Sequence, residues 1–230
     1  MSNITLIILF LILFLNYYIY KKFKYSKSLY IISTIFIIIN FIFILLIYYN
    51  NLALGFDEGI VFGDKLGMLA TDEYKYYMEA DHLNYNLITY GGLKAYFNGE
   101  LVGYPFKVDN KPYGIYNHFV FILGILRYIG ISKLVDLLTI KLIFTVINTY
   151  LIYSLSNNFL SDKASKIVVI LFNLAPAYIL VNTTLLRDNI ILTFILVLVL
   201  LLIYKEWSYR SLILIIINTI ALANPSAKLL

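Results

Sequence analysis

Residues 29–49 read LYIISTIFIIINFIFILLIYY, an unbroken run without a single charge. At 1.5 Å per residue such a helix reaches about 30 Å, the thickness of a bilayer's hydrocarbon core. Working outward, apolar runs of similar or slightly shorter length recur at residues 4–20, 133–156, 166–182, 189–204 and 211–223. Over the whole chain 61% of residues are hydrophobic and only 13% charged, with a mean hydropathy of +0.84. A soluble domain carries about 25% charged residues, so this chain lacks the polar surface to stay in water. The expected fold is all-α: a polytopic integral membrane protein with about six transmembrane helices, one membrane domain over residues 1–230.

The net charge of +5 records orientation rather than a nucleic-acid partner. Lys21, Lys22, Lys24 and Lys27 lie between the first two runs, Lys163 and Lys166 between the third and fourth, Lys205 and Arg210 between the last two. Short loops rich in Lys and Arg stay cytoplasmic, and these three fall on one side of a single alternating topology. Residues 50–115 then form one large extracytoplasmic loop. It holds the acids Asp57, Glu58, Asp64, Asp72, Glu73, Glu79, Asp81, Glu100 and Asp109. The first run has no basic n-region and no A-x-A-like cleavage site, so it reads as a retained helix and not a signal peptide. Tyrosines at the span ends, such as Tyr17, Tyr18, Tyr48 and Tyr49, suit an interfacial belt. The absence of cysteine excludes disulfides and thiolate chemistry.

Residues 116–129 are mostly apolar but too short to span, and His118 and Arg127 interrupt them. They read as an outer interfacial helix. Asp136 and Lys141 open the span that follows. Asp136 is expected to snorkel outward, while the deeper Lys141 suits packing or a pathway. Pro176 is expected to kink the next span. The chain stops at Leu230 without a polar tail, which reads as the front part of a longer protein.

Chemistry on polar molecules requires side chains that water can reach, which directs attention to the large loop. Asp72-Glu73-Tyr74-Lys75-Tyr76 is its sharpest signal. Adjacent carboxylates can serve as a general base when one stays ionised and a neighbour is shifted. On a helix Asp72, Tyr76 and Glu79 share a face. A solvated acidic helix is the bland alternative. Asp57 and Glu58 form a competing pair. Lys111 and Arg187 fall on the outer side and could hold a phosphate. His82 and His118 lack metal-ligand spacing. No cofactor is indicated, and no motif supports a divalent metal.

The order of these elements resembles the GT-C superfamily of membrane glycosyltransferases, in the branch of dolichyl-phosphate-mannose protein mannosyltransferases and bacterial lipid A aminoarabinose transferases. Asp72-Glu73-x-x-Tyr76 matches the family's D-E-x-x-Y-like element, and Lys111-Pro112 its K-P-P-like stretch, with Tyr113 replacing a proline. An additional span at residues 4–20 precedes the loop-bearing unit, and family members continue for several more spans.

The resemblance implies glycosyl transfer from a polyprenyl-phosphate-linked donor to an extracytoplasmic acceptor, in the plasma membrane of a prokaryote. Asp72 would be the general base with Glu73 assisting (Asp57 and Glu58 as alternates), and Tyr76, Lys111 and Arg187 would bind substrate. Membrane lipid and the donor are the implied partners. The rival is a non-enzymatic protein, either a transporter of lipid-linked sugars or an inactive fragment.

Overall fold

The protein is known as a computed structural model, which describes residues 3–60, 72–89 and 118–204. Among these residues there is no strand. The helices are α1 (Asn3–Lys22), α2 (Lys27–Ala53), α3 (Asp72–Thr89), α4 (His118–Tyr128), α5 (Leu134–Asn157), α6 (Asp162–Leu174), α7 (Pro176–Thr183) and α8 (Asp188–Tyr204), with a single 3₁₀ turn at Asp57–Gly59. Three of them, α1, α2 and α5, are long and apolar enough to cross a membrane, and the bent pair α6–α7 counts as a fourth if taken as one span. The last apolar run, at residues 211–223, lies outside the described residues. The chain divides into two compact units, one from residues 1–47 and 138–222, the other from within 48–137.

In the first unit the central element is α5. Of its apolar window 72% is buried, against 22% for α1 and 33% for α2. A helix covered by other helices in lipid needs polar contacts, because apolar side chains gain nothing by leaving hydrocarbon for protein. Those contacts are present. Tyr150 of α5 donates to Asn16 Oδ1 of α1 at 2.9 Å, and Asn16 Nδ2 donates to Thr34 Oγ1 of α2 at 2.9 Å. Tyr25, in the α1–α2 turn, stacks on Tyr150 with ring centroids 4.8 Å apart and shares a 2.9 Å hydrogen bond with Ser154.

The kink expected at Pro176 is a full break, with α6 and α7 inclined by 60°. Proline's ring drives the preceding residue out of the α region, and Ala175 is extended at φ −60°, ψ 122°. Pro176 then opens α7 at the position where its missing N–H costs nothing. α7 is fastened to its neighbours by side chains. Asn148 Nδ2 donates to the Asn189 carbonyl at 3.1 Å and to Tyr178 Oη at 3.3 Å. Thr193 Oγ1 donates to Asn148 Oδ1 at 2.7 Å, and Asn189 Nδ2 donates to Asn182 Oδ1 at 3.3 Å. Lys141, 3% exposed, sends its ammonium to the carbonyls of Val181 and Thr184 at the C-terminal end of α7. A cation there also meets the negative end of the helix dipole. Of the two roles open to Lys141 in the sequence, the geometry shows packing.

Asp136 differs from its expectation. It is 1% exposed and does not snorkel into water. Its neighbours Leu134, Val135 and Leu137 are equally covered, so the first turn of α5 is enclosed on all sides and leaves no face along which a short carboxylate could reach solvent.

Candidate functional site

The second unit is built on the packing of α3 against α4. In α3 the buried residues Glu73, Tyr76, Tyr77, Ala80, Leu83 and Leu87 recur at helical spacing, which makes one continuous inward stripe. In α4 the matching residues are Phe119, Val120, Leu123 and Arg127. Gly124 sets the approach, because a β-carbon there would lie 2.6 Å from Leu83 Cδ2. At 11 residues, α4 is about 17 Å long and too short to cross the hydrocarbon.

The acid-led start of α3 separates into two environments. Asp72 is exposed, whereas Glu73 is buried at 5% exposure. Tyr76 is buried too, its ring edge-on to Phe119 with centroids 5.4 Å apart. The shared face expected for Asp72 and Tyr76 is real in helical register but not in burial, since Asp72 stands at the very end of the helix. Lys111 lies outside the described residues, and nothing places it. Arg187 is half-buried in the turn before α8, where its carbonyl accepts from the N–H groups of Ile190 and Ile191; it belongs to the other unit.

The competing pair is held by a tight turn after α2. Gly59 adopts φ +75°, and a β-carbon on it would come within 2.7 Å of the Tyr48 ring, so only glycine fits without rearrangement. Asn51 Nδ2 donates to the Gly59 carbonyl at 3.1 Å. Glu58 itself is left-handed at φ 54°, a conformation that non-glycine residues adopt at a cost. Its carboxylate accepts from the Tyr77 hydroxyl at 3.2 Å. Burial, reinforced by the Glu58 charge, pushes the Tyr77 hydroxyl up to about 12 even though Arg127 opposes it, so this tyrosine stays a donor at physiological pH.

Sequence reasoning treated Arg127 only as an interruption of an apolar run. The structure makes it a junction. It is 6% exposed, pairs through Nη1 with Asp81, and lies over the Tyr77 ring at 4.0 Å from the centroid. The available signal was the charge itself: a guanidinium inside an apolar helix must be paired or face protein. His82 is half-buried against Tyr85, and among the described residues no cluster of His, Asp or Glu could hold a metal ion.

Burial raises the Glu79 carboxyl above its ordinary 4.5, with the Asp72 charge adding to the shift and Lys75 opposing it. The folded state therefore binds the proton more tightly than the unfolded chain does, and this contribution to stability falls as pH rises from about 4.5 through the folded value. Glu79→Gln is expected to raise the melting temperature at pH 7 and to flatten its decline above pH 4.5, read by thermal melts in detergent from pH 4 to 7. Parallel curves for the two proteins would refute the assignment.

No protein-family model, curated protein or solved structure matches the chain. Function must be argued from the site.

Proposed function

We propose that the chain transfers a glycosyl group from a polyprenyl-phosphate-linked donor to an acceptor hydroxyl at the extracytoplasmic face of a prokaryotic plasma membrane. The observation that carries the reading is the exposed carboxylate of Asp72 at the head of α3, with Glu73 buried directly behind it. An exposed carboxylate is free to meet an incoming hydroxyl. In the proposed step the acceptor oxygen attacks the anomeric carbon and its proton passes to Asp72. The bond from that carbon to the phosphate oxygen breaks, and polyprenyl phosphate leaves with the electron pair. Lys111 is the proposed partner of the leaving phosphate, since a cation that meets a developing anion lowers the barrier. Glu58, fixed by Tyr77, is the alternate base with Asp57. The reaction as written needs no resident cofactor.

Six spans complete the proposed topology, with α8 and residues 211–223 added to the four described segments. Cysteines at Ser26 and Asn98 are then expected to label oppositely with an impermeant thiol reagent on intact cells, Asn98→Cys from outside and Ser26→Cys only after permeabilisation. Labelling of Ser26→Cys alone would invert the protein and remove the acids from the outer face.

The broken α6–α7 pair favours a second reading, a transporter of lipid-linked sugars, since many secondary transporters use interrupted helices whose C-terminal carbonyls hold a coupling ion. Here the carbonyls of Val181 and Thr184 are already taken by Lys141, which weakens that reading. Proteoliposomes loaded with polyprenyl-phosphate glycose separate the two. A transferase releases polyprenyl phosphate only when acceptor is present, whereas a transporter moves the donor across the bilayer intact.

A further inference from the structure

We propose that Arg127 is the seat of a phosphoryl oxyanion on the α3–α4 pair. Its guanidinium is buried, and Nη1 is engaged by Asp81. Nε and Nη2 are enclosed and find no acceptor among the described residues. These two nitrogens share one edge of the guanidinium plane. Their N–H bonds run parallel, the fork that grips two oxygens of a phosphate or carboxylate at once. Enclosed donors without an acceptor destabilise a fold, and a bidentate oxyanion relieves both together.

A second enclosed polar side chain lies on the same side of α3. Tyr77 and Asp81, four residues apart on α3, both face Arg127, and Asn84 follows at the spacing that keeps it on that side of the helix. Asn84 Oδ1 is enclosed and also lacks a partner among the described residues. A half-turn of the amide presents its NH₂ to an oxyanion. The Asp81 side chain is 56% exposed, so water screens its charge, while the fork edge lies away from water where attraction to an anion is stronger.

Phosphate is the class of oxyanion that the setting favours. On the other side of α4, Ile122 and Tyr128 are exposed, as is Ile129 just beyond, an apolar surface suited to lipid at the level of headgroup phosphates. The seat deepens the transferase reading by giving the donor's phosphate a partner in addition to Lys111, and only the donor's identity depends on that reading.

The test titrates the purified chain in neutral detergent with polyprenyl phosphate, with phosphatidic acid and with inorganic phosphate, following ligand-induced thermal stabilisation. Arg127→Gln is expected to weaken phosphate binding by about tenfold or more. Arg127→Lys should also weaken it, because the charge survives but the fork does not. Asp81→Asn should retain binding, and circular dichroism reports whether each variant keeps its helices. Arg127-dependent binding of either lipid assigns the seat to lipid phosphate, and Arg127-dependent binding of inorganic phosphate alone assigns it to free phosphate. Equal affinity in the native chain and Arg127→Lys overturns the proposal, as does loss of binding in Asp81→Asn equal to that in Arg127→Gln. Should binding behave as expected while transfer is absent, the transferase reading falls and the seat stands. Should transfer proceed while phosphate binding ignores Arg127, the seat falls alone.

Discussion

Asp72→Asn is expected to lower acceptor-dependent release of polyprenyl phosphate by about 10²–10⁴-fold, the usual cost of losing a general base. The side chain is exposed at the first position of α3, so the change removes no buried contact, and folding and membrane insertion should be unaffected. The amide keeps the shape but cannot accept the proton. One further consequence follows from the Asp72 charge, which helps to raise the Glu79 carboxyl. Neutralising Asp72 should let Glu79 ionise at a lower pH, a shift measurable in the pH dependence of melting even when activity is gone. Asp57→Asn and Glu58→Gln test the other pair. Loss of turnover in either, with Asp72→Asn active, would move the base to the turn after α2 and keep the reaction class. Full activity in all three would leave the reaction without a base at either acidic pair.

Much of the helical frame was legible because hydropathy acts over whole segments. The residue run 29–49 announces α2 however it packs, since a continuous apolar segment of that length can satisfy its own backbone in lipid only as a helix. The break before Pro176 was legible for an equally local reason, the steric limit on Ala175. Burial of single polar groups was not. Asp136 was expected in water and is enclosed, because its surroundings are assembled from segments that no periodicity connects. The same holds for Arg127 and Asp81, paired across 46 positions, and for Glu58 and Tyr77 across 19. The acid-led motif at Asp72 and Glu73 could be found by eye. That its two carboxylates would part into water and protein depends on which side of α3 is covered, which the motif itself does not encode.

Lys141→Met should cost the membrane bundle about 1–3 kcal/mol, from two carbonyls left without a donor. The lower end reflects measurements inside membranes, where unfolded helices also find polar partners and single hydrogen bonds average well below 1 kcal/mol. The upper end reflects the site, a lysine 3% exposed whose ammonium meets both Val181 and Thr184. For a chain of 230 residues that cost corresponds to a fall in melting temperature of roughly 2–12 °C. Methionine matches the stem in length and apolar character, so packing survives and the missing charge is isolated. Thr193→Val provides the comparison, removing only a neutral hydroxyl that donates to Asn148 Oδ1 and the Asn189 carbonyl in the same unit, and its loss should be smaller. Lys141→Ala, which opens the space the stem occupied, should lose at least as much, and a small alkylammonium should recover part of that loss. A Lys141→Met protein that melts with the native chain would mean that the ammonium's desolvation cancels its bonds. In that case α7 is held in place by the bonds among Asn148, Tyr178, Asn182 and Asn189, and Lys141 adds no net stability.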